Sequence, residues 1–166
     1  RLLDGLPAVR WVKVGSILMT REGPDLVDRL NQRGLSVFLD LKWHDIPNTV
    51  AGAVRAAVGA GVRMVTVHTL GGVEMMEAAA AAAGAAVTVV GVTVLTSHSA
   101  ASYAAATGSS PAGIGAEAVR LAGLAKRAGL GGVVASALEV ELVREVMGPT
   151  AAVVVPGIRR GGAPSG

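Results

Sequence analysis

Apolar residues in this chain come in short runs, separated by stretches in which they recur every three or four positions. The runs Trp11–Gly15, Ser36–Leu41, Met64–Thr69, Val87–Leu95, Gly132–Ser136 and Ala151–Val155 are rich in Val, Ile or Leu. Each is short enough for a buried parallel strand. Between them the period is helical. Pro24 opens a stripe of Leu26, Val27 and Leu30 that Gly34 ends, and Pro47 opens a second with Val50, Val54 and Val58, stopped by Gly59 and Gly61. Val73–Ala83, Ala116–Ala128 and Leu138–Met147 each run into a glycine, the usual helix C-cap residue. The alanine tract Ala78–Ala86 belongs to a helix that runs out.

Strand, helix and strand repeated in this order predict an α/β domain with a parallel sheet and right-handed crossovers. Periodicity leaves two architectures open, an open doubly wound sheet and most of a closed barrel. No GxGxxG follows the first strand, so a dinucleotide fold gains no support. Thr96–Ile114 is the longest stretch without a clear period. It follows a strand end, where barrel enzymes place substrate-contacting loops, but a surface insertion fits as well.

Composition sharpens this picture. Of the residues 51% are apolar but only 2% aromatic, so the core must be filled by Val, Leu, Ile and Ala. Strands covered on both faces favour those residues. The formal charge of +3 is scattered, with no basic run beyond Arg159–Arg160, which argues against a nucleic-acid surface. With no cysteine, disulfides and thiolate metal sites are excluded. No apolar run reaches membrane-spanning length and no signal peptide is visible, so a cytoplasmic location is expected.

The chemistry concentrates in Asp40-Leu41-Lys42-Trp43-His44-Asp45-Ile46-Pro47-Asn48-Thr49. Asp40 and Lys42 are two apart at a strand end and share one face. Lys13 lies inside another apolar run, where an unpaired ammonium would be costly, and Asp40 is its natural partner. Lys13, Asp40, Lys42 and Asp45 then form an array of alternating charge, a setting in which each charged form favours its neighbours. A fixed ammonium beside a fixed carboxylate suits electrostatic preorganisation and proton delivery. The plain alternative is a solvated salt-bridge cluster capping the strand. His44 reads as a loop residue and His68 as a hydrogen-bonded strand-end histidine. Met75, Met76 and Met147 read as core filling.

The run from Asp40 to Thr49 resembles the signature of orotidine 5′-phosphate decarboxylases. Val12-Lys13-Val14-Gly15, Thr66-Val67-His68 before Gly71-Gly72, Val94-Leu95-Thr96-Ser97 and Pro156-Gly157-Ile158-Arg159 follow in that family's order and at similar spacing. The resemblance implies a (β/α)8 TIM-type barrel that works as a homodimer without metal or organic cofactor. By the same resemblance it would decarboxylate orotidine 5′-monophosphate to uridine 5′-monophosphate, the last step of de novo UMP synthesis. Lys42 would protonate the pyrimidine carbon that loses carbon dioxide, Asp40 would lie against the substrate carboxylate, and Lys13 would bind the ribose hydroxyls. Asp45 and Thr49 would reach into the partner's site, Thr96 would meet the pyrimidine and Arg159 the phosphate. Ile46 and Pro156 would complete the substrate-binding set.

The same resemblance marks departures. No counterpart of the family's first strand precedes Trp11, Arg1–Leu6 reads as the tail of the first helix, and the phosphate-gripping loop is due where the sequence stops at Gly166. Residues 1–166 are therefore expected to be one barrel domain covering about strands 2 to 7, incomplete at both ends. Val155 stands where the family often has threonine, and Arg160 where it often has proline. Two other functions compete. Magnesium-dependent sugar-phosphate lyases and decarboxylases of the same superfamily share an Asp-x-Lys-x-x-Asp strand end but lack the Ile46-Pro47-Asn48-Thr49 continuation. An inactive nucleotide- or phosphate-binding fragment is the third reading.

Overall fold

The structure is a computed structural model that describes residues 8–109 and 112–158. Strands β1 (Trp11–Gly15), β2 (Ser36–Trp43), β3 (Met64–His68), β4 (Thr88–Val92), β5 (Gly132–Val134) and β6 (Ala152–Val154) form one sheet. Its order is sequential, β1-β2-β3-β4-β5-β6, and every neighbouring pair is parallel. A doubly wound sheet reverses its order at a switch point, whereas a singly wound barrel does not. The topology thus decides what periodicity left open.

Helices α1 (Ser16–Glu22), α2 (Asp25–Gln32), α3 (Pro47–Gly59), α4 (Val73–Ala83), α5 (Ala100–Thr107), α6 (Ile114–Arg127) and α7 (Val140–Met147) connect the strands. The expected helices are present, with boundaries moved by a few residues. Short 3-10 turns precede α4 and α7. Two helices escaped the sequence reading for one physical reason. The only buried residue of α5 is Tyr103, and α1 buries none, so neither shows an apolar stripe. Among the described residues no helix is long and apolar enough to cross a membrane. The expected helix tail at Arg1–Leu6 lies outside the described residues.

Strand alternation sorts the core into two faces. Val37, Leu39, Val65, Val67, Val89 and Val133 pack in one cluster with Val50, Val54, Met76 and Ala122 of the helices. Phe38, Met64, Val90, Val92, Val134 and Val154 form a second cluster with no helical member. Since the period of a strand is two, Lys13, Asp40, Lys42 and Thr66 fall on this helix-free face. The methionines Met75, Met76 and Met147 are buried core members, as expected.

Close strand contact at β5 depends on a missing side chain. A Cβ built on Gly132 would collide with the carbonyl of Ala152 on β6. Backbone cannot swing aside as a side chain can, so Gly132→Ala should cost about 1–3 kcal/mol. The check is a lowered midpoint in urea with an unchanged slope.

Candidate active site

The site is built at the C-terminal end of β2. Asp40 is 8% exposed and faces the helix-free side, where three groups converge on its carboxylate. Lys13 Nζ donates to Oδ2 at 3.0 Å, Lys42 Nζ donates to Oδ1 at 2.8 Å, and Thr66 Oγ1 donates to Oδ1 at 3.1 Å. Strand register explains the convergence. Lys13 pairs with Phe38 and Gly15 with Asp40 across β1 and β2, so Lys13 and Asp40 are near neighbours on one face. A Cβ on Gly15 would stand in ordinary contact with Lys13 Nζ, at 3.6 Å.

The strand itself is distorted at this point. Leu39 pairs with Val65 and Trp43 with Val67, so the β2–β3 register shifts between them. Such irregularities re-aim side chains near sites. Lys42 has φ +52°, the one non-glycine residue with positive φ among the described residues. That conformation costs about 1–2 kcal/mol. It is held by the Lys42 N–H donating to Thr66 Oγ1 at 2.8 Å and by the ammonium bond to Asp40. Thr66 therefore receives the lysine backbone and supports the aspartate with one hydroxyl. Sequence reasoning missed this role, because a threonine in a strand is ordinary. The signal available was a polar residue on the same face as Asp40 in the next strand.

Electrostatics follow from the geometry. Burial pushes the Asp40 carboxyl up, but hydrogen bonds from Lys42 and Lys13, with their charges, outweigh it. The net direction is below the ordinary carboxylate value, so Asp40 is ionised at neutral pH. The lysines are less enclosed, with 56% of the Lys13 and 37% of the Lys42 side chain exposed. A cavity of about 310 Å³ opens over them, lined by Lys13, Gly15, Ser16, Ile17, Asp40 and Lys42.

The fourth member of the expected array stands apart. Asp45 is exposed, and its Oδ1 accepts the N–H of Ile46 at 2.6 Å. Within the chain it makes no ion pair with either lysine, so the array here is Lys13–Asp40–Lys42. The turn after β2 carries Asp45 outward together with Ile46, 65% exposed, and the exposed Thr49 of α3. Thr96 is exposed in the turn after β4, and Pro156 is exposed just beyond β6. These positions share the strand-end side of the sheet with the charged cluster. Arg159 lies outside the described residues.

His68 departs from expectation. It ends β3, but its Nδ1 is buried without a hydrogen-bond partner. Burial, with the neighbouring charges of His44 and Lys42, lowers its pKa and favours the neutral ring. The His44 and His68 rings are 5.7 Å apart. Among the described residues no group of three or more His, Asp or Glu is placed to hold a metal ion.

Residues 2–166 match the model of the family described as Orotidine 5′-phosphate decarboxylase / HUMPS. The chain belongs to this family. It is 53% identical over 164 residues to the orotidine 5′-phosphate decarboxylase of Halorhodospira halophila, covering 96% of this chain and 68% of that one. To the orotidine 5′-phosphate decarboxylase of Anaeromyxobacter sp. strain K it is 49% identical over 160 residues, with 96% and 70% covered. Among solved structures, that of orotidine 5′-phosphate decarboxylase from Lactobacillus acidophilus superposes with a TM-score of 0.80 at 37% identity, covering 89% of this chain and 69% of that one. An uncharacterized conserved protein from Geobacillus kaustophilus superposes with a TM-score of 0.88 at 36% identity, with 94% and 76% covered. The sequential six-stranded sheet is accordingly part of the TIM-type barrel of the orotidine 5′-phosphate decarboxylase family.

Proposed function

We propose that this protein decarboxylates orotidine 5′-monophosphate to uridine 5′-monophosphate using its own side chains alone. The observation that carries the reading is Asp40 held between two ammonium groups at 3.0 and 2.8 Å, with Lys42 locked in a strained conformation beside it. Family membership supplies the reaction, and the array supplies the means.

In this reading the bond between the pyrimidine ring and its carboxylate breaks, and the electron pair stays on the ring carbon. The Lys42 ammonium stabilises that charge as it develops and then delivers its proton to the same carbon. Asp40 faces the departing carboxylate and keeps Lys42 charged and aimed. Lys13 binds ribose hydroxyls and anchors the other carboxylate oxygen of Asp40. Thr96 meets the pyrimidine, Arg159 the phosphate, and Pro156 lines the pocket. The location is the cytoplasm. The direct test follows pyrimidine absorbance in a chelator. Loss of substrate signal with formation of uridine 5′-monophosphate supports the reading, and turnover only on adding magnesium would favour a metal-dependent sugar-phosphate enzyme.

The working unit is a homodimer with shared sites. Asp45, Ile46 and Thr49 are exposed, and Asp45 pairs with neither lysine of its own chain, as residues serving a neighbouring site would be. Mixing inactive Lys42→Ala chains with inactive Asp45→Ala chains then rebuilds one intact site per mixed dimer. After subunit exchange, activity should recover to about a quarter of wild type. No recovery, with exchange verified by mass, would place each site within a single chain.

A further inference from the structure

A buried polar cluster outside the charge array holds the turn that carries Thr96. Tyr103 is 2% exposed and is the one buried residue of α5, whose remaining residues are small or polar. Its hydroxyl donates to Glu117 Oε1 of α6 at 2.6 Å. Glu117 is itself buried and is bound twice by Arg120, through Nε at 2.8 Å and Nη2 at 2.7 Å. Tyr103 shares a small apolar cluster with Val94 and Leu121. Val94 and Tyr103 flank the Thr96 turn in sequence, so this cluster lies at the base of that loop.

The turn is braced internally as well. His98 N–H donates to the Leu95 carbonyl at 2.9 Å, and the His98 ring stands edge-on to Tyr103 at 5.9 Å. Ser99 and Ser102 form a reciprocal cap at the start of α5. The one buried side chain of α5 is thus the phenol of Tyr103. Burial and the Glu117 carboxylate push that phenol up to about 12, and Arg120 holds Glu117 below its ordinary value. The cluster therefore keeps one protonation state across neutral pH.

We propose that Tyr103 is a positioning residue for substrate: its bond to the Glu117–Arg120 pair fixes where Thr96 stands and so sets affinity for the pyrimidine portion of the nucleotide. The proposal rests on the reading that Thr96 meets the pyrimidine. Tyr103→Phe keeps the ring packing and leaves Glu117 paired with Arg120, so it removes the one bond at issue.

The experiment measures binding of two probes by calorimetry, uridine 5′-monophosphate and ribose 5-phosphate, to wild type and Tyr103→Phe. Affinity for the nucleotide should fall about tenfold, the order expected for one hydrogen bond to a carboxylate, while that for ribose 5-phosphate stays within about twofold. Hydrogen exchange should quicken over residues 96–107 and not in β1–β3. Equal nucleotide affinity in the two proteins, or parallel loss for both probes, overturns the proposal and leaves the decarboxylase standing. A wild type that binds neither probe and does not turn over substrate overturns the functional reading and this proposal with it.

Discussion

Replacing Lys42 with alanine should lower kcat for orotidine 5′-monophosphate by at least about 10,000-fold while the protein stays folded. The size follows from what the ammonium does. A positioned general acid contributes about 100- to 10,000-fold, and a charge aimed at a developing anion adds about 100- to 1,000-fold. The cost to folding is small by contrast. The lysine side chain is more than a third exposed, so its ion pair contributes at most about 1 kcal/mol. Asp40 keeps Lys13 and Thr66 as partners. A companion variant separates strain from chemistry. Lys42→Gly should be equally inactive, yet more stable than Lys42→Ala by about 1 kcal/mol, because glycine adopts positive φ without penalty. Near-normal turnover by either variant would remove Lys42 from the mechanism.

Asp40→Asn should be the second most damaging change, with kcat/KM reduced at least about 1,000-fold. Two ammonium groups would then face one neutral amide, and Lys42 would lose the acceptor that aims it. Stability should fall by about 1–2 kcal/mol. A fully buried pair would lose more on removal of one partner, about 3–5 kcal/mol, but both lysines here can turn to water. Because the folded carboxyl lies below its ordinary value of 3.8, its stabilisation is complete above that pH. It is lost as pH falls through the folded value. Unfolding curves of wild type and Asp40→Asn should therefore differ at pH 7 and converge on acidification below about pH 4. A gap that persists unchanged on acidification well below that pH would mean the ion pairs contribute nothing.

Much of this site was legible because it breaks a rule. Lys13 and Asp40 are charged residues inside apolar runs, and such residues must find each other or lose stability. The same logic cannot see Thr66, which fits a buried strand without needing a charged partner. Nor could it see the direction of Asp45. Spacing placed that residue near the cluster, but the turn into Pro47 carries its carboxylate to the Ile46 N–H instead. The strands were legible from branched aliphatic runs, while their sequential order, which selects a barrel, emerges only in the sheet. The α5 helix was hidden because one tyrosine does the anchoring that a stripe of apolar residues does elsewhere.

The central claim is that the Lys42 ammonium hands its proton to the carbon that lost carbon dioxide. Its most direct test runs the reaction in heavy water with a chelator and reads deuterium in the product. Wild type should release uridine 5′-monophosphate with one deuterium at the ring carbon that carried the carboxylate, and Lys42→Ala should give none above the uncatalysed background. Labelled product formed by Lys42→Ala at close to the wild-type rate would contradict the account.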